Sequence, residues 1–440
     1  MMKAFRKYLS ALLLLFMLMS LFGCRTDPQV STQVPQSTAG TTQGSTQGST
    51  QGSTETDIGE NLDPAILAEL KIDLTDSKWI QFSSAPSPAG VFGEGGYFYA
   101  QDSAFLTYAD LSNGISVTLC SKAGCKHGNA LTAPERRECD AHLNYVIFKM
   151  FFWDGHIYYV LQDDGPGGID LYRRNMDGTG EEKVADLGEH YNDRNTRANI
   201  TQFIQAGNGL YYRVDVERIV DGTVKHIQCD LMRLDLDTHK NEVIAKFTDK
   251  YPHLVAAQSD ALLYYTVDED QEMDVMDPDY WEMVDNLKTS LRIWDRPTQK
   301  NAVLHEGTYR DFKPVGIRDG EILYSDNNVY CTYNLATETQ TTAKIQSEAV
   351  LDDRFALMND RYFCDAKTGE PLDNGIQDFL IYVYNAGEEG VILKRGHVIY
   401  VNGDRQFDYV IHSYVTYADL EDGLQEADCL DLWREEASKP

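Results

Sequence analysis

The chain has 440 residues, with 39 Lys and Arg against 69 Asp and Glu, so its formal net charge is −30. A surface this acidic repels phosphate backbones and anionic headgroups, and no basic cluster interrupts it, which excludes nucleic acid and a polybasic membrane patch as partners. At 42% hydrophobic and 11% aromatic residues the chain can bury a core, which excludes a disordered acidic tail.

Lys3, Arg6 and Lys7 precede the apolar run from Ala11 to Met19, which leads to Leu21-Phe22-Gly23-Cys24. This is the form of a signal peptide, and its apolar run falls short of the ~20 residues that span a bilayer. Its ending resembles a bacterial lipobox, with Leu at −3 and Gly at −1 of Cys24, although Phe22 stands where a small residue is usual. The reading is a signal over residues 1–23 and a diacylated Cys24 that anchors the chain to the extracytoplasmic face of the cell membrane; the rival is a plain secretory signal. Two acyl chains anchor stably where one is marginal. Loss of three bases and no acids with the signal takes the charge from −30 to −33.

Residues 24–57 are nearly devoid of apolar side chains and repeat Gln-Gly-Ser-Thr at 43–46, 47–50 and 51–54. Such a segment is a flexible tether, and a coil of roughly 33 residues reaches about 30 Å on average. Asp63-Pro64 then opens a short predicted helix through Leu70, with Asp as cap and Pro at the first helical position.

Beyond Trp79 the chain reads as short β-branched and aromatic strands separated by Gly, Asp and Asn. One paired-aromatic strand recurs as Gly96-Tyr97-Phe98-Tyr99, Gly155-His156-Ile157-Tyr158-Tyr159, Gly209-Leu210-Tyr211-Tyr212, Ala261-Leu262-Leu263-Tyr264-Tyr265 and Gly320-Glu321-Ile322-Leu323-Tyr324. The last tyrosines lie 60, 53, 53 and 59 residues apart. A second signature follows several of them, as in Leu171-Tyr172-Arg173-Arg174-Asn175-Met176-Asp177-Gly178 and Leu231-Met232-Arg233-Leu234-Asp235, and Thr107-Tyr108-Ala109-Asp110-Leu111 returns letter for letter at 416–420.

A repeat of about 40–60 residues built of four strands is the unit of a β-propeller. The expected fold is all-β, a propeller over 58–440 of seven blades, with six to eight admitted because the sixth and seventh, near Phe355–Cys364 and Phe379–Leu420, are weakly marked. The strand near Trp79-Ile80-Gln81-Phe82 is expected to pair with C-terminal strands and close the ring. Two β-sandwiches in series are the rival, but they need no such period. The lipobox, the Ser/Thr/Gln/Gly spacer and blades bearing Gly-x-Ile-Tyr-Tyr and Leu-Tyr-Arg-x-Asn-x-Asp-Gly-Thr-Gly together resemble the propeller lipoproteins of Gram-positive anaerobes, related in blade pattern to TolB-like propellers. That resemblance implies a fold and an address, and no activity.

One insertion departs from the blade pattern. Cys120, Cys125, His127 and Cys139 are spaced Cys-x₄-Cys-x-His-x₁₁-Cys, with His142 in reserve. It resembles a Cys-x-Lys-x-x-Cys-x-His…Cys-x-Ala segment near the first blade of those lipoproteins. Three thiols and an imidazole can complete a tetrahedral Zn²⁺ shell, and four protein ligands would make that zinc structural. Outside the cell a disulfide such as Cys125 to Cys139 competes with it, as do free thiols. Cys229, Cys331, Cys364 and Cys429 read as buried free cysteines.

Asp268, Glu269, Asp270, Glu272, Asp274, Asp277, Asp279, Glu282 and Asp285 crowd one loop. Carboxylates suit Ca²⁺, but the spacing misses an EF-hand, and a solvated face with a short capped helix at Asp277-Pro278-Asp279-Tyr280-Trp281 is the expected form. Tyr280 and Trp281 are expected to pack back on their blade rather than stack on a ligand. Hydrolase elbows, zincin helices, phosphate loops, Rossmann glycines and sialidase Asp boxes are absent from the sequence. The functional expectation is a surface-anchored module binding an envelope glycan, peptide or protein; the alternative is an extracytoplasmic propeller hydrolase or lyase acting on glycans or peptides.

Overall fold

The computed structural model describes residues 72–75, 79–81, 90–101, 105–127, 132–143, 147–162, 169–188, 196–220, 223–268, 277–327, 329–335, 337–342, 349–350, 355–358, 362–365, 370–372, 376, 379–387, 389–401, 404–421 and 423–436. The chain divides into units 1–53 and 54–440, and all the described residues belong to the second. The signal, Cys24, the tether and the helix expected over 63–70 lie outside them. No helix among the described residues is long and apolar enough to cross a membrane.

Alternation of apolar and polar residues between tight turns folds the chain into successive antiparallel meanders. The described strands form sheet 1 (90–118), sheet 2 (147–186), sheet 3 (196–247), sheet 4 (250–308), sheet 5 (313–342), sheet 6 (349–365) and sheet 7 (379–436). Each has four strands in chain order, except that sheet 6 shows three and sheet 4 gains a fifth. The repeated aromatic segments are the second strands of sheets 1 to 5, from Gly96–Gln101 to Glu321–Asp326. One period of the sequence is thus one sheet.

Because alternate residues of a strand face opposite sides, a sheet can bury both of its faces, and sheets 1 to 4 and sheet 7 each pack between two others. Phe98 and Leu106 of sheet 1 meet Ile157 and Tyr159 of sheet 2, and Tyr158 and Val160 of sheet 2 meet Phe203 and Tyr212 of sheet 3. The same alternation joins sheet 3 to 4, sheet 4 to 5 and sheet 6 to 7. Sheet 7 then packs on sheet 1, where Ile392, Tyr414 and Leu432 meet Tyr97, Tyr99 and Ala109. A succession of meanders whose last member packs on its first is a propeller, and the sandwich alternative falls. First strands of neighbouring sheets touch one another, so they form the inner edge of the ring.

One expectation is corrected. Ile80–Gln81 does not join the C-terminal strands; it pairs with Ala256 and Ala257 as a fifth strand on the inner edge of sheet 4. Trp79 is buried between sheets 4 and 5, and the Gln81 amide accepts from the Ile317 N–H at 3.0 Å while donating to its carbonyl at 2.7 Å. Gly316 makes room, since a Cβ there would lie 2.8 Å from Gln81 Oε1. The ring closes instead by side chains, with Trp433 stacked between Tyr99 (3.9 Å) and His412 (4.0 Å), and Ser116 Oγ donating to the Leu432 carbonyl at 2.9 Å.

The repeated pentapeptide takes a different form at each of its two places. Residues 107–110 lie in the strand Phe105–Asp110, whereas its copy ends the strand Asp404–Thr416 and turns away. Thr416 Oγ1 donates to the Asp419 carboxylate (2.5 Å) and accepts from the Asp419 N–H (3.1 Å), a local turn that competes with the ladder.

Candidate metal centre

The cysteine insertion begins where the fourth strand of sheet 1, Ser116–Thr118, ends, beside the start of the third, Phe105–Asp110. The Leu119 N–H still bonds the Leu106 carbonyl at 2.9 Å, so Cys120 leaves the sheet in a fixed direction. A turn closed by Cys125 N–H to the Lys122 carbonyl (3.2 Å) brings Cys125 back beside it. The return path uses helix α1 (Ala133–Arg137), started by a capping box between Thr132 and Glu135 with Pro134 in its first turn. Cys139 N–H then bonds the Arg136 carbonyl, and Leu106 N–H bonds the Ala141 carbonyl at 2.9 Å.

These turns bring together the expected foursome. The ligand atoms of Cys120, Cys125, His127 and Cys139 all lie within 4.8 Å of one another. A Zn²⁺ with bonds of ~2.3 Å to sulfur has tetrahedron edges of about 3.8 Å, so the shell fits after contraction by less than about 1 Å. Phe105, Cys139 and Ala141 make its buried floor, and His127 stands at the exposed side. Cys125 and Cys139 are separate thiols rather than a disulfide. His142 is not a member; its ring packs edge-on to Phe105 at 5.4 Å and its backbone bridges to the same residue.

The donor chemistry suits a cation. Burial alone would raise the Cys120 thiol, but hydrogen bonds from His127 and from the Lys122 and Asp140 backbone outweigh it and bring the group down to about 6. Burial and the neighbouring sulfurs push Cys139 up to about 12, and burial also raises Cys125. Several thiols crowded together share one negative charge reluctantly, whereas a divalent cation deprotonates them jointly.

The loops are braced from outside. Lys122 donates to the Glu138 carbonyl and lies 3.5 Å from Asp140, whose other oxygen accepts from Ser121 Oγ at 2.5 Å. Arg174 of sheet 2 reaches across, donating to the Asp140 carbonyl and, at 3.4 Å, to that of His142, while Tyr159 (2.9 Å) and Glu181 hold its other face. Sequence reasoning missed this role for Arg174, although it lies in the recurring Leu-Tyr-Arg-Arg signature.

Other charged groups tie strands and sheets together. Arg213 of sheet 3 grips Asp215 and the Pro252 carbonyl of sheet 4 (2.9 Å), and Arg395 grips Ser413 and Asp431 within sheet 7. Arg296 joins Asp235 and Asp260 across sheets 3 and 4 at 3.1 and 3.0 Å. Cys229 and Cys331 are buried, as expected, and Cys429 is half-buried.

In the acidic segment, Glu269, Asp270, Glu272 and Asp274 lie outside the described residues. Helix α2 (Tyr280–Asp285) forms, but Asp277 rather than Asp279 supplies the turn, accepting from the Asp279 N–H at 2.8 Å. The expected packing of Trp281 onto its blade does not occur: the residue is 66% exposed, since α2 buries none of its residues; Arg310 N–H bonds the Asp285 carbonyl at its end.

No protein-family model and no curated protein matches the chain. Among solved structures it is similar to a puromycin-hydrolyzing peptidase from Mycobacterium tuberculosis, at 10% identity and a TM-score of 0.47 over 84% of this chain and 56% of that one. It is similar to TolB from Acinetobacter baumannii at 11% identity and 0.30, over 69% and 75% of the two chains. An oligogalacturonate lyase solved with manganese matches at 13% and 0.26, over 67% and 93%. The chain spans little more than half the length of the peptidase.

Proposed function

We propose that this chain is a lipid-anchored envelope protein whose propeller is a binding module, and that Cys120, Cys125, His127 and Cys139 hold a structural zinc ion in its first blade. The observation that carries this reading is the convergence of four soft donors at the outer end of sheet 1, away from the inner strands. Four protein donors close the shell of a zinc ion and leave no position for a reacting water. The ion would stiffen a long insertion and leave the ring free to present ligand-binding surfaces. The lipobox at Cys24 and the repeated tetrapeptide support the address, since an acidic domain has no attraction of its own for an anionic surface.

Metal analysis of full-length protein purified without chelator tests the zinc, with one equivalent per chain expected and none in Cys120→Ser/Cys139→Ser. Cys24→Ser tests the anchor and should move the protein from the membrane fraction to the medium. A thermal-shift screen against envelope glycans and peptides, with capture of envelope proteins, tests the module. Turnover of any of those glycans or peptides would favour the hydrolase or lyase reading instead.

A further inference from the structure

The inner strands of sheets 2 to 5 carry a polar band that no motif announces. Ile157, Leu210, Leu262 and Ile322 each stand second in the second strand of their sheet. Three residues further on are Val160, Arg213, Tyr265 and Ser325, and their partners on the inner strands are Lys149, Gln202, His253 and Lys313. These four therefore occupy one level on four consecutive sheets, and all are partly buried.

They are also physically linked. Lys149 Nζ lies 4.4 Å above the ring of Phe203, the neighbour of Gln202. Gln202 Oε1 accepts from the Leu254 N–H at 2.9 Å, which fixes the amide and turns its Nε2 to His253 Nδ1 at 3.3 Å. Since that amide nitrogen only donates, His253 Nδ1 accepts, and the ring proton sits on Nε2. Burial, with Arg213 and Lys313 near, holds the ring neutral, down to about 3. Lys313 Nζ lies 5.3 Å over Tyr309.

The charge on this arc is unbalanced. Neither Lys149 nor Lys313 has a carboxylate partner among the described residues, and burial alone pulls Lys149 down to about 8. The carboxylate whose charge reaches His253, Asp215, is taken at 2.6 and 2.8 Å by Arg213. Two lysines and a fixed imidazole thus stand on the inner strands of a chain of charge −30. Partly desolvated cations without counter-charge cost stability, and an anion removes that cost.

We propose that Lys149, His253 and Lys313, with Gln202 fixing the imidazole, bind a small ligand through one or two carboxylates at the inner edge of the propeller. Phosphate recognition gains most from a free guanidinium fork, and Arg213, the arginine beside Gln202 and His253, is already engaged by Asp215. The inference deepens the binding-module reading and rests on it.

Thermal melts of the full-length chain at low salt with succinate, neutral succinamide and inorganic phosphate test it. At a hundredfold excess over its Kd, succinate should raise the melting temperature by about 3 °C, and high salt should suppress the rise. Lys149→Met and Lys313→Met should each remove the rise. Without succinate, Lys149→Met should melt at or above the native temperature, so a lost response is not lost folding. No rise, an equal rise with succinamide, persistence of the rise in either lysine variant, a larger rise with phosphate or a sharply lower melt of Lys149→Met would each overturn the proposal. Should succinate fail while an envelope glycan or protein binds, this site is wrong and the module reading stands.

Discussion

The cysteine cluster and the inner arc place chemistry in the propeller by opposite routes. Cys120, Cys125, His127 and Cys139 come from a single stretch of 20 residues, and local turns bring them within 4.8 Å of one another. Lys149, Gln202, His253 and Lys313 are 53, 51 and 60 residues apart and meet because four sheets repeat one register. The cluster gathers crowded thiols that a cation would deprotonate together; the arc gathers cations that lack an anion. One is a device of the insertion, the other of the repeat, and each should fail differently.

The largest expected effect is at the cluster. With the proposed zinc bound, Cys139→Ser removes a buried donor and should cost on the order of 5 kcal/mol, since a structural zinc ion contributes folding energy directly. Hydrogen exchange should rise over residues 105–143 and stay native in sheets 3 and 4. Uniform loosening of all sheets would show that the insertion is not a separate brace.

This contrast also explains what could be read from the sequence. The all-β class, the repeat and the foursome were legible because each leaves a local or strictly periodic trace. The arc was hidden although its spacing follows the same period as the tyrosines, since bulges near Lys149, Gln202, His253 and Lys313 shift the register and the residue types differ. Ring closure was misread for another reason. The stack of Tyr99, Trp433 and His412 joins the two ends of the folded ring with no shared motif, while Trp79-Ile80-Gln81 mimics a closing strand and is captured by sheet 4.

Arg174 connects the cluster to the repeat and should give the next effect. Arg174→Met leaves Glu181 and the carbonyls of Asp140 and His142 without their cation, at about 3 kcal/mol. Cys139 should then react with a thiol reagent faster than in the native chain, with Arg174→Lys restoring it only in part, because an ammonium cannot span the same fork. Unchanged reactivity would separate the clamp from the cluster.

Gly178→Ala probes the same seam more gently. Gly178 has φ +81°, and a Cβ there would lie 2.7 Å from Leu119 Cβ and 2.8 Å from its carbonyl, one residue before Cys120. The backbone strain and the shift of Leu119 should cost about 1–3 kcal/mol, read by chemical denaturation. A neutral result would mean that the turn of sheet 2 does not set the position of the insertion.

The smallest effect belongs to the arc and appears only with pH. Folded His253 stays neutral to about 3, held down by burial and by Arg213 and Lys313 against the opposing charge of Asp215, whereas an unfolded histidine protonates near ~6.5. Below that value the unfolded chain binds a proton that the folded chain refuses, so this contribution is whole above pH ~6.5 and falls as pH drops, by about 1.4 kcal/mol at pH ~5.5. His253→Gln should lose that part of the slope while keeping the slope that carboxylates impose at lower pH. Succinate should stabilise the native chain at pH ~7.5 without restoring the slope, because it pairs with the lysines and leaves His253 a neutral donor. If the slopes of the native and variant chains coincide between pH ~6.5 and ~5.5, His253 is protonated in the folded arc, and the donor pattern drawn from Gln202 and Leu254 is wrong.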